Sequence, residues 1–222
     1  MEGKNNCATN SPGNERKWNM NSKITLIIIM AFCFFITAPE IAKASVVTDE
    51  VKSTVDQVVK IVSDKELKKP QNQQKRRSAL KKAIGRIFDY REMAKRSMGV
   101  KWRSITPAQQ NDFVGLFSTL LENSYADKIE SYHEEKIVYD RESVEGKYAE
   151  VNSRIITLKR DEYGLDYRLL KEGNKWIIYD VVIEGVSLVS NYRTQFIKII
   201  NEQGYEELVK KMKTKSEEIT AL

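Results

Sequence analysis

The feature that most limits the fold is a change of hydrophobic period at Glu135. Before it, apolar residues recur every three or four positions, the spacing of one helical face. Val51, Val55, Val58, Val59 and Val62 mark a helix over 48–63, with Thr48 as the expected N-cap. Leu80, Ala83, Ile84, Ile87 and Phe88 mark a second over 73–88. Asp89 followed by Glu92 reads as a fresh helix start, and Gly99 as its stop. Thr106-Pro107 with Gln109 begins a long helix to about 132, whose face carries Phe113, Leu116, Phe117, Leu120, Leu121 and Tyr125.

After Glu135 apolar residues alternate, the period of a pleated strand. Four strands are expected, over 136–141, 148–159, 164–171 and 175–183, the last two joined by a hairpin at Glu172-Gly173-Asn174. Both faces of the fourth look apolar, which predicts a central strand. Trp176, Ile178, Asp180 and Val182 should share one face. The helical period then returns over 188–203, with Val189, Tyr192, Phe196, Ile199 and Ile200. It continues over 205–217 with Leu208, Val209 and Met212, after the break at Gly204. Helices, an antiparallel meander, then helices give an α+β domain with one sheet face covered.

The N-terminus lies outside this pattern. Arg16, Lys17 and Lys23 precede an uncharged apolar run of 13 residues, 24–36, and Ala42-Lys43-Ala44 follows. That order is a secretory signal peptide cut after Ala44. The run is too short to span a bilayer, which takes about 20 residues. Met20 supplies a compact charged lead to the run and is read as the initiator, within a leader of residues 1–44. The remainder is one domain over 45–218 with a loose tail at 219–222. Both cysteines, Cys7 and Cys33, fall in the leader, so the domain holds no disulfide and no thiolate metal site. Removing the leader's five basic and three acidic residues from 37 and 31 leaves 32 and 28, a mild +4. Neither that charge nor an exported address suits a nucleic-acid partner.

Catalytic constellations are not found. His133 is the one histidine and sits in a polar stretch. Ser187 lacks the second glycine of a nucleophile elbow. Asp161-Glu162 reads as a solvated turn. The chain is therefore read as a non-enzyme without metal or cofactor. The aromatic face over 113–125 and the strand residues Tyr167, Trp176 and Tyr179, taken alone, are ordinary core.

The last hairpin and the helix after it add something more specific. Leu165-Asp166-Tyr167-Arg168, Lys175-Trp176, Tyr179-Asp180-Val181, Ile183-Glu184-Gly185-Val186-Ser187-Leu188-Val189, Asn191-Tyr192-Arg193 and Phe196 form a spaced string. It resembles the MlaC family, also called the toluene-tolerance auxiliary family. Trp102 and the Phe113 to Tyr125 pattern agree, so the resemblance covers about 47–215. It implies a twisted antiparallel sheet wrapped by helices, with an apolar lipid pocket between them. It also implies a periplasmic carrier that shuttles phospholipid between an inner-membrane ABC-type complex and an outer-membrane lipoprotein complex. Such a carrier would be monomeric and only transiently near either membrane. A related branch makes a hopanoid or other polycyclic lipid the alternative cargo. A ligand-free periplasmic adaptor is the alternative without cargo.

A carrier of two acyl chains must hide them. At about 0.8 kcal/mol per methylene, two chains of ~15 methylenes lose roughly 24 kcal/mol in water. The expected slot is lined by Phe113, Phe117 and Leu120 on one side and by Tyr167, Trp176, Ile178 and Val182, or the other strand face, opposite. Val186, Val189, Tyr192 and Phe196 should close one end. Two roles are open for Arg193. It could contact a phosphate headgroup, or pair with Asp180 or Glu184 and pin its helix to the sheet. The second is preferred, because a headgroup can stay wet.

Overall fold

The computed structural model describes residues 46–220 of the 222; the leader, its cleavage site, Met20 and residues 221–222 lie outside the described residues. Helix α1 runs Val46–Ser63, and a 3₁₀ turn, Pro70–Asn72, leads into α2, Gln73–Ile84. Then come α3, Tyr90–Met98, a 3₁₀ turn, Gly99–Ser104, and the long α4, Pro107–Glu130. Strands β1, Lys136–Glu145, β2, Tyr148–Ile156, β3, Glu162–Glu172, β4, Lys175–Ile183, and β5, Val186–Ser187, follow. Helices α5, Leu188–Gln203, and α6, Tyr205–Thr220, end the chain. The sheet is fully antiparallel in the order β1-β2-β3-β4-β5. This is the expected α+β class, with one short strand more than predicted.

Local chemistry explains the agreement. Thr106 Oγ1 accepts from Gln109 N while Gln109 Oε1 accepts from Thr106 N, a complete capping box with Pro107 at the first position. Asp89 caps α3 by accepting from Glu92 N. Gly99 takes φ 55 to stop that helix, a conformation a side chain rarely adopts. The added β5 arises because Glu184 and Gly185 both turn at positive φ, the geometry of a tight two-residue hairpin. Glu184 N donates to Gly164 O, and its carboxylate accepts from Gly164 N.

Three expectations are corrected. Thr48 is not an N-cap, because α1 starts at Val46; Thr48 N and Oγ1 both donate to Glu142 of β1, each at 2.8 Å. The second helix stops at Ile84 rather than 88. Residues 87–89 instead dock beside β4: Ile178 N donates to Ile87 O at 2.6 Å, and Asp89 N to Ile178 O at 2.9 Å. The third concerns β4. Arg168 pairs with Asp180 and Leu169 with Ile178, so Tyr179 is an extra residue, a β-bulge. One extra residue reverses the alternation. Trp176, Ile178 and Val181 face one way, and Asp180 and Val182 the other. The central position of β4 holds: β3 lies on one side, β5 and the Phe88 segment on the other.

The core divides into two clusters. One is helical, drawn from α3, α4, α5 and α6 and centred on Phe113 and Phe117. The other lies between α1 and the inner sheet face, with Val47, Val51, Ala149, Val151, Tyr167, Leu169, Trp176, Ile178 and Val181. Phe88 packs against both. Among the described residues no helix is long and apolar enough to cross a membrane.

Candidate functional site

The candidate site is the apolar seam at which these two clusters meet, at Phe88. On the helical side α4 supplies Phe113, Phe117 and Leu120, and α5 supplies Val189, Tyr192 and Phe196. The two phenylalanines of α4, four residues apart and thus on one face, are fully buried. Their rings stack at 6.1 Å, and Phe196 meets them edge-on at 5.7 and 5.8 Å. Tyr192 stands edge-on to Phe117 at 5.3 Å. Six of the eleven apolar residues expected at the site are therefore brought together by helix packing alone.

The sheet side gathers three more, Tyr167, Trp176 and Ile178, all buried. Val182 is buried but lies on the opposite face, turned there by the Tyr179 bulge. Val186 in β5 is 56% exposed. Around the seam a margin of apolar side chains is only half-buried: Val55, Tyr139, Leu165, Ile183 and Leu188 beside the sheet cluster, Leu116 and Tyr125 beside the helical one. Phe88 is the residue that sequence reading placed elsewhere, in a helix face. Its signal was Gly85 and the Asp89 cap, which together leave too little chain for another helical turn.

The polar groups near the seam are neutral or already paired. Burial pushes the Tyr139 phenol up to about 12, with Asp56 adding to it, and likewise raises those of Tyr125, Tyr167 and Tyr192. These tyrosines present uncharged hydroxyls, which an apolar ligand tolerates. Tyr139 Oη is buried without a hydrogen-bond partner, a cost any ligand acceptor beside it would remove. Asp180, buried on the other face, accepts from Ser187 Oγ at 2.6 Å, Val189 N at 3.0 Å and Arg168 Nη1 at 3.4 Å. It caps α5 from the sheet.

Arg193 pairs with neither Asp180, whose two oxygens are taken, nor Glu184, whose Oε1 accepts from Gly164 N. Its Nε donates to the carbonyl of Arg96 at 2.7 Å, so it pins α5 to α3 rather than to the sheet. His133 lies on the surface, its Nδ1 2.8 Å from Tyr132 O. Among the described residues no group of three or more His, Cys, Asp or Glu is placed to hold a metal ion. A shallow depression on α6 is lined by the charged and polar residues Glu207, Lys210, Lys211, Thr214, Lys215 and Glu218, and lies apart from both core clusters.

Known proteins share this arrangement. The MlaC protein family model matches residues 52–214, across both clusters. The intermembrane phospholipid transport system binding protein MlaC of Haemophilus influenzae is 23% identical over 202 residues, 89% of this chain and 92% of its own. The toluene tolerance protein ttg2D of Pseudomonas putida is 27% identical over 128 residues, 57% of this chain and 60% of its own. A solved structure of a phospholipid-binding protein from Ralstonia solanacearum, in complex with a phospholipid, superposes with a TM-score of 0.72 at 26% identity. The match covers 78% of this chain and 98% of that one. With nearly the whole helical and sheet framework matched, the chain belongs to the MlaC protein family.

Proposed function

We propose that this protein is a phospholipid carrier that works between two membranes, holding acyl chains at the seam between its helical and sheet clusters. The observation that carries the reading is the superposition on a phospholipid-bound relative over almost the whole of that chain. The tails lie against the inner sheet face, on Tyr167, Trp176 and Ile178, within the half-buried margin of Val55, Tyr139, Leu165 and Ile183. Phe113, Phe117, Leu120, Val189, Tyr192 and Phe196 form the wall behind, reached through Phe88. Tail contacts replace side-chain contacts of similar kind, so loading and release are close to balanced and need only a small bias from a partner. The carrier turns over no substrate.

Residues 1–44 send the chain to the periplasm and are then removed, freeing it to leave either membrane. It exchanges cargo with an ABC-type complex in the inner membrane and a lipoprotein complex in the outer one. Arg193 keeps its Nε on Arg96 and turns its remaining amino groups toward a headgroup phosphate. Native mass spectrometry of residues 45–222 tests the carriage. About one phospholipid per chain is expected after mild purification. A lipid-free chain that also fails to extract labelled phospholipid from vesicles sinks the reading. Release by osmotic shock, with the leader gone, tests the address.

A further inference from the structure

Several basic side chains of this protein are locked to carboxylates. Arg76 and Arg77 hold Glu130, Arg154 holds Asp140 and Glu162, and Arg168 holds Glu150 and Asp180. Two others lie over aromatic rings at the corner where α3 meets the sheet, and one of them, Arg96, also bonds Glu92. Arg96 stacks its guanidinium 3.9 Å from the centre of Tyr179 and 5.9 Å from that of Tyr148. Lys147 Nζ lies 5.6 Å from the Tyr148 ring, and the two tyrosines meet edge-on at 6.2 Å.

This corner is also where apolar groups face water. Tyr148 is 40% exposed, although its neighbours in the hairpin are turn residues that do not require a ring. Val100 is 80% exposed. Its neighbour Gly99 lies close to Arg193, whose Nε in turn holds the Arg96 carbonyl, so Val100 follows directly on the end of α3 that carries Arg96. Residues 91–103 carry five basic side chains, Arg91, Lys95, Arg96, Lys101 and Arg103, against one acid, Glu92. Glu92 is spent on Lys95 and Arg96. Among the described residues Lys101, Arg103 and Lys147 make no ion pair.

We propose that the surface built on Arg96, Val100, Lys147 and Tyr148 is the face by which this protein docks on an anionic bilayer. An exposed tyrosine prefers the interface, its ring among acyl chain ends and its hydroxyl among headgroups. Val100 adds apolar area of the size a bilayer surface accepts without a built pocket. Arg96 shares the single carboxylate of Glu92 with Lys95, while Lys101, Arg103 and Lys147 have none, so the corner keeps an excess of positive charge that matches the phosphates of acidic lipids. A rigid protein partner would instead call for a flat, wider apolar patch. The α6 lysines differ: Lys210 and Lys215 have Glu207 and Glu218 beside them, and the groove between them is polar. The docking face rests on the carrier reading only for its purpose, which is to bring the carrier to a membrane; its existence is measurable without any cargo.

The test is flotation of residues 45–222 with vesicles of phosphatidylglycerol and phosphatidylethanolamine at about 3:7, against vesicles of phosphatidylethanolamine and phosphatidylcholine. Binding is expected on the first, weakening with salt. Each neutralised cation near the surface should lower it about fivefold, from ~1 kcal/mol per charge. Lys147→Gln should therefore cost about fivefold, and Lys147→Glu with Val100→Ser more than about twentyfold. Lys147→Arg should bind like the wild type. Lys211→Gln with Lys213→Gln on α6 serves as the control, equal in net charge to the Lys147→Glu, Val100→Ser protein. Equal loss in that control overturns the proposal, as does unchanged binding of the Lys147→Glu, Val100→Ser protein. Circular dichroism separates misfolding from lost docking, and Lys147 and Val100 are exposed enough to be changed without it. Phospholipid content is measured on the same samples. A lipid-free wild type that still floats overturns the carriage and not the docking face.

Discussion

The helical cluster and the sheet cluster are both well buried, yet they are held in different ways. The helical one is a lattice of rings, with Trp102, Phe113, Phe117, Tyr192, Phe196 and Tyr205 in contacts of 5.3–6.4 Å. Three of its helices start on a cap: α3 on Asp89, α4 on the Thr106 box, and α5 on Ser187, itself bonded to Asp180. The sheet cluster is mostly aliphatic and is covered by α1. That helix is tied to the sheet near its start, where Glu142 receives Thr48 and Glu50 receives Trp176 N. Ring lattices resist small displacements, since edge and stacking geometry is lost with them. An aliphatic face can exchange one apolar partner for another at little cost. On the proposed carriage, the helical half is thus the frame, and the α1 side is the half expected to yield to cargo.

The sharpest way to break that division is to truncate one buried residue in each half. Phe117→Ala removes a ring that touches three others and should cost about 3–5 kcal/mol. Val51→Ala, equally buried on α1, removes two methyl groups and should cost about 2 kcal/mol. Chemical denaturation reads both. If Val51→Ala proves as damaging as Phe117→Ala, α1 belongs to the frame. Asp180→Ala comes next, at about 3 kcal/mol, because it takes the acceptor from Val189 N and Ser187 Oγ at the start of α5 and leaves Arg168 with Glu150 alone. Asp180→Asn should recover part of that, since an amide oxygen can still accept from Val189 N.

A smaller change addresses the yielding half directly. Glu142→Ala cuts the Thr48 tie and should cost about 1.5–2 kcal/mol. It should also speed phospholipid exchange. The domain supplies its own reporters, because Trp102 lies in the helical cluster and Trp176 in the sheet cluster. In Trp102→Phe protein, fluorescence from Trp176 should shift on loading with phospholipid. In Trp176→Phe protein, Trp102 should stay nearly constant. The reverse result would move the cargo to the ring lattice, where Phe113, Phe117 and Leu120 would be its direct contacts.

Sequence alone carried the frame further than the seam. The Thr106-Pro107-Gln109 box, the Gly99 stop, the turn at Gly173 and the α5 boundaries at Ser187 and Gly204 are local chemistry, and they fall where the residues say. What escaped depends on partners far along the chain. Thr48 looks like a cap, but its acceptor is Glu142, 94 positions away. Phe88 looks helical until Ile178 is placed beside Ile87 and Asp89. The Tyr179 bulge moved Val182 off the inner sheet face, and strict alternation gives no warning of it, because every residue in 176–183 but Asp180 is apolar. Arg193 chose a backbone carbonyl, which sequence pairing of charges cannot anticipate.

The smallest expected effect lies where the two halves touch. Glu92 of α3 bonds Arg96, the residue that stands on Tyr179 of the sheet. Burial alone would raise its carboxyl. The hydrogen bond from Lys95 and the charges of Arg96 and Lys95 outweigh burial and hold it below the ordinary range. A carboxyl lowered on folding stabilises the fold above the unfolded value of about 4.3, and that gain is lost as pH falls through the folded value. Solvent screening keeps it to a fraction of about 1 kcal/mol. Urea midpoints of wild type and Glu92→Gln should therefore differ at about pH 7 and converge toward about pH 3. The convergence should show in Trp176 emission before Trp102 emission, since Glu92 steadies the arginine that ties the frame to the sheet. Simultaneous loss of both signals would mean that the halves unfold as one body, and that cargo must enter without parting them.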